Sequence, residues 1–204
     1  MIDCDNYLND VVYIRAFGNL KERYMFNDVA LKIKKKNQIL FNFESECLQE
    51  LILEFQTLDR IGAILWAFEE VEIIIDQLQP KYPEYNEITE VLKLASLWAH
   101  GEIKMPQAKK GILSCHALAK KMDDPIDIAL VHAIGQGCST VHVKNHAMGI
   151  VFYALTAIVI EQHYDAYTSA VLGQIDAYKR HMVYWKENVA LKSATEKWAS
   201  FLRR

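Results

Sequence analysis

Within residues 112–160 the chain gathers six side chains whose chemistry goes beyond packing: His116, His132, His142 and His146, with Cys115 and Cys138. Cys138, His142 and His146 stand four residues apart, and imidazole nitrogen and thiolate sulfur are the ligands zinc prefers. The protease form of such a pair places a glutamate directly after the first histidine as the base, but here Val143 follows His142. Nucleophilic catalysis by Cys115, Cys138 or Ser114 needs a base, an orienting group and an oxyanion site together. Adjacency in Ser114-Cys115-His116 does not supply that, because neighbours on a helix point in different directions. The third role is structural: His116, Gln136, His142 and His146 hydrogen-bonded to one another and to helix-terminal carbonyls where three helices meet. Buried donors and acceptors without partners cost about 1–3 kcal/mol each, so rings in such apolar surroundings must be satisfied. His132 is expected to lie off this corner, at the surface.

The elements that must position these residues read as helices. Four prolines and eight glycines in 204 residues are too few for the turns of an all-β protein. Cys47, Leu48, Leu51, Ile52 and Phe55 recur at helical spacing, and a second helix over about residues 57–79 carries Ile61, Leu65, Phe68, Ile75 and Leu78 inward before Pro80 and Pro83. A third covers about 84–100, with Gly101 as a left-handed cap. A fourth starts near Pro106 and reaches about Met122. Asp123-Asp124-Pro125 opens a fifth, with an acidic N-cap and proline in the first turn, running to about His142. Gly135 and Gly137 inside it imply close approach of a neighbouring backbone, since each costs about 1 kcal/mol relative to alanine.

Asn145 is expected to cap the next helix, 146–162. Its apolar run, 147–160, would extend about 21 Å at ~1.5 Å per residue. That is short of a ~30 Å hydrocarbon core, so a core helix is expected and no membrane span. Helix resumes over about 164–188, and a last short helix is expected near 192–202. Residues 1–43 read as an N-terminal extension packing on a single all-helical domain, 44–204. In the extension, residues 6–17 suit a short helix ended by Gly18-Asn19. Val29-Ala-Leu-Lys-Ile33 and Ile39-Leu-Phe-Asn-Phe43 suit short strands or irregular segments, with the lysines 34–36 as a solvated turn. The fold class expected is all-α, an antiparallel bundle or short solenoid-like stack of about seven to nine helices.

Net charge is −3, yet residues 44–90 hold twelve acidic residues against two basic ones. An acidic face at Glu69, Glu70 and Glu72 would repel nucleic acid and attract a basic protein. The four cysteines are scattered, with no C-x-x-C pair, which suits a reduced cytoplasmic protein.

Three stretches carry a resemblance: Leu97-Trp-Ala-His-Gly-Glu-Ile103, Ser114-Cys-His-Ala-Leu-Ala119, and Ile134-Gly-Gln-Gly-Cys-Ser-Thr-Val-His-Val-Lys-Asn-His-Ala-Met-Gly149. From about residue 58 to 162 the chain resembles a bacterial putative immunity protein family of polymorphic toxin systems, whose pattern includes His-Val-x-x-His-Ala-x-Gly. The resemblance implies an all-helical protein that binds a cognate toxin. It matches His116, His142 and His146 to family histidines, while Gln136 stands where a histidine is more usual. No cofactor is expected, zinc being the one metal the residue types admit, and a homo-oligomer is compatible with the sequence. The alternative is a metal- or small-ligand-dependent enzyme or sensor using the His116, His142 and His146 corner.

Overall fold

The structure is a computed structural model that describes Leu20 and residues 24–203. The helix expected over residues 6–17 and Cys4 lie outside the described residues. Among the described residues there are eight α-helices and no strand: α1 (Asn27–Lys34), α2 (Gln49–Thr57), α3 (Arg60–Leu78), α4 (Glu87–Ala99), α5 (Met105–Leu118), α6 (Pro125–Ser139), α7 (Ala147–Glu161) and α8 (Thr168–Thr195).

Local chemistry sets several helix ends. The Asp59 carboxylate accepts from Gly62 N–H at 2.6 Å and opens α3, and Asp124 accepts from Ile126 N–H at 2.8 Å and opens α6, with Pro125 in its first turn. After α4 the chain passes through Gly101 at φ 78°. There Glu102 N–H returns to Leu97 C=O at 2.9 Å. This is the six-to-one closure that a left-handed glycine permits.

The all-helical expectation holds, with local corrections. Residues 27–34 form α1 where a short strand was one reading, and its Val29 is fully buried. Eight residues cannot separate a period of two from one of 3.6, and burial of Phe26 and Val29 settles it as helix. Residues 39–43 are irregular, with Leu40 and Phe41 in the core. Asn145 caps nothing: it lies inside a 3-10 turn, Lys144–His146, ahead of α7. The separate helix expected at 192–202 is absent, since α8 continues to Thr195 and only a 3-10 turn, Ser200–Leu202, follows.

α6 occupies the centre, packing most extensively on α7 and also on α3, α4 and α5. Its composition explains this, because a helix apolar on nearly every side has to be covered on nearly every side. α7 is likewise the core helix its apolar run predicts. α8 lies along α3 and α2, where Trp66 packs edge-on against Tyr178 at 5.9 Å and tilted against Phe55 at 5.9 Å. Among the described residues no helix is long and apolar enough to cross a membrane.

The two interior glycines of α6 are explained by neighbouring side chains and not by a neighbouring backbone. A Cβ at Gly135 would stand 2.5 Å from the His116 ring, and one at Gly137 would collide with Val71 and Ile150.

Candidate functional site

His116 comes from the last turn of α5, Gln136 from α6, His142 from the turn after α6, and His146 from the residue preceding α7. These four side chains line one cavity of about 340 Å³ together with Trp98. The convergence read from the sequence is therefore present, but its bonding differs. His146 Nδ1 donates to Gln136 Oε1 at 2.8 Å. His142 is exposed and makes no ring hydrogen bond among the described residues; its ring stacks on Trp98 with centroids 6.2 Å apart.

His116 bonds instead to His132, Nδ1 to Nδ1 at 3.0 Å. His132 is half-buried on α6, which corrects its expected place at the surface. A signal for this was available, since His132 and Gln136 are four residues apart on one helix and so share a face.

Two cations that sequence reasoning passed over fasten this corner. Arg60 Nη2 donates to the carbonyls of Val141 and His142 at 3.1 and 3.0 Å, and its guanidinium lies over the Phe201 ring at 5.7 Å. Lys144 donates to the Leu58 carbonyl. Main-chain acceptors at helix ends are common partners for such cations, but no local pattern names which end.

Burial sets the electrostatics. It pushes the His116 imidazole down to about 4, helped by the nearby rings of His132 and His146, and it lowers His132 and His146 too. The bonded rings are thus neutral at neutral pH. A histidine whose folded pKa is depressed supplies stability that is present above its unfolded value of about 6.5, and that stability is lost as pH falls through the folded value. For His116 the window runs from about 6.5 to about 4. In an NMR pH titration the His116 ring is expected to change protonation near pH 4; a midpoint above pH 6 would contradict the burial described here.

Cys115 is buried and its thiol is pushed up to about 12, while burial raises Cys138 well above its usual value. Neither is poised as a thiolate. Among the described residues no group of three or more His, Cys, Asp or Glu side chains could hold a metal ion. Cys138, His142 and His146 form no such group among the described residues, their even spacing along the chain notwithstanding.

The acidic triplet is divided. Glu70 is 3 % exposed and accepts from His181 Nδ1 at 2.7 Å. It belongs to the interior of the α3–α8 contact and to no surface face. Glu69 accepts from Trp185 Nε1 at 2.6 Å, and Glu72 is exposed. Glu69 and Glu72 border an open groove of about 600 Å³ with Phe68, His181, Tyr184 and Trp185. Elsewhere α8 answers the acidic stretch with bases, Lys179 to Glu50 at 2.7 Å and Lys186 to Glu54 at 3.5 Å.

Fold and corner together define an all-helical protein in which histidine and glutamine side chains of its central helices meet. Residues 53–181, more than half of the chain, match the family described as Imm-5 like putative immunity protein, and the chain belongs to that family. The match takes in all four corner residues and extends into α8 as far as His181. No curated protein and no solved structure matches the chain.

Proposed function

We propose that this protein confers immunity by binding a cognate toxin, and that the toxin docks on the α3–α8 groove. Family membership supports the general reading. The observation that carries the location is the lining of the groove: Tyr184, 53 % exposed and set edge-on to Trp185, lies beside the solvent-facing carboxylate of Glu72. Tyrosine and tryptophan dominate the energetics of protein interfaces, because they bury large area at low entropic cost. Glu72 makes no ion pair among the described residues, so a lysine or arginine of a basic toxin would find an uncommitted partner. The site of action is the cytoplasm, where the buried thiols of Cys47, Cys115 and Cys138 stay reduced.

The test measures binding of the purified protein to its cognate toxin. Tyr184→Ala is expected to weaken binding by roughly tenfold or more, the usual scale for losing an aromatic anchor. Glu72→Lys is expected to slow association and to blunt its dependence on salt. Both side chains are exposed, so neither change threatens the fold. Wild-type affinity and toxin protection in both variants would place the toxin elsewhere.

A further inference from the structure

A second cavity, of about 710 Å³, also has His116 in its lining and lies between residues 36–40 and helices α5, α6 and α7. Its volume is within the range of small-molecule sites, about 300–1,000 Å³. One wall is a ladder of rings: His116 and His132 have centroids 5.2 Å apart, and His132 and Tyr153 are also 5.2 Å apart, with tilts of 33° and 36°. Leu40, Ile128 and Ile160 supply apolar lining, and Lys36, Lys120 and Tyr164 stand among the residues around it. Among the described residues no carboxylate lines the cavity.

The polar atoms there have defined roles. A hydrogen bond between two Nδ1 atoms contains one proton, so the ring that accepts carries its own proton on Nε2, while the ring that donates leaves its Nε2 bare. Among the described residues neither Nε2 has a hydrogen-bond partner, so the His116–His132 pair combines one unbonded donor with one unbonded acceptor. The Tyr153 hydroxyl makes no hydrogen bond among the described residues.

The backbone around the cavity is costly as well. Among the described residues the non-glycine positions with left-handed φ are Lys36, His163, Tyr164 and Ala166. Lys36 and Tyr164 line the cavity, and the other two lie within two residues of Tyr164. Such conformations persist where the surrounding structure over-determines them, and they gather at ligand clamps. The 36–40 segment is tied down from below, Leu40 N–H donating to Thr156 Oγ1 at 3.0 Å.

We propose that this cavity binds a small planar aromatic acid, its ring against His132 and Tyr153 and its anionic group held by Lys36 and Lys120. Flat rings offer the stacking surface the ladder matches, and two ammonium groups with no opposing carboxylate select an anion.

The experiment is calorimetric titration of the full chain, without toxin, with indole-3-acetate and anthranilate as carboxylates, AMP and GMP as phosphates, and indole-3-acetamide as an uncharged control. The expected result is saturable one-to-one binding of a probe from one arm, with Kd below about 1 mM. The uncharged control should bind at least about tenfold more weakly, as should the anion to Lys120→Glu. Lys120 is exposed, so that variant tests recognition and not folding. Binding confined to one arm names the anion. Absence of binding by every probe, or equal binding of the acetamide or by Lys120→Glu, overturns the proposal. Because no toxin is present, the outcome is independent of the groove on α3 and α8.

Discussion

Gly149→Val is expected to lower the unfolding free energy by about 3 kcal/mol, the upper end of the usual cost of overpacking a close-packed interior. The cause is a single close approach. Gly149 lies in the first turn of α7, where an added Cβ would come within 2.7 Å of both Cβ and Cγ of Gln136 on α6. The Gln136 Cβ is fixed to the backbone of α6, so relief must come from moving one helix off the other along the most extensive helix–helix contact among the described residues. The displacement also disturbs the bond from His146 to Gln136. Gly173 in α8 provides the contrast, since an added Cβ there meets nothing within 4 Å. Gly173→Ala should therefore raise stability by up to about 1 kcal/mol, through helix propensity and reduced freedom of the unfolded chain. Urea unfolding of the two variants checks both signs. A valine at position 149 that leaves the midpoint unchanged would mean that α6 and α7 do not pack as described.

The second large effect is a pH dependence at Glu70. Burial pushes its carboxyl up to about 7, against the opposing hydrogen bond and charge of His181, with Glu69 raising it further. The folded protein then keeps a proton on Glu70 that the unfolded chain releases near 4.5. Between those values the folded state binds more protons, so stability falls as pH rises, and above about 7 the full cost is present. At 1.36 kcal/mol per pKa unit that cost is about 3 kcal/mol. Glu70→Gln keeps an acceptor for the His181 ring and has nothing to ionise. The variant should match wild type near pH 4.5 and be the more stable of the two at pH 8, by up to about 3 kcal/mol. The depressed histidines of the corner act in the opposite direction over part of this range, but they are common to both proteins and cancel in the difference. A stability difference that stays flat, or that favours wild type at pH 8, would show Glu70 and His181 to be a stabilising ion pair in the fold.

The helices most legible in the sequence are those bounded by short-range chemistry. Asp124 with Pro125, and Gly101, each act on backbone groups within a few residues, so α6 begins and α4 ends where the pattern indicates, whereas Asp59 opens α3 at Arg60 and not at the expected start near residue 57. The apolar run of α7 is equally plain, because a helix without a polar face has only an interior to occupy. Asn145 misleads for the same local reason: an amide side chain before an apolar run suits an N-cap, yet the chain enters α7 through a 3-10 turn. At the corner, residue types announced that His116, Gln136, His142 and His146 should gather. They did not announce that His116 would bond to His132, because that choice depends on how α5 and α6 are rotated against each other.

Charge shows the division most clearly. The run of acids in residues 44–90 is a property of the sequence, but an acidic surface is not. Glu50, Glu54, Glu69 and Glu70 meet Lys179, Lys186, Trp185 and His181, all more than 100 positions later in the chain. The sequence by itself determined where helices could start and stop and which of their faces were apolar, since those properties depend on atoms a few residues apart. Which carboxylate is buried, which ring finds a partner and which groove stays open were decided only when α8 lay down along α2 and α3. Contacts over such separations follow from the packing of whole helices, and nothing in the local order of residues encodes them.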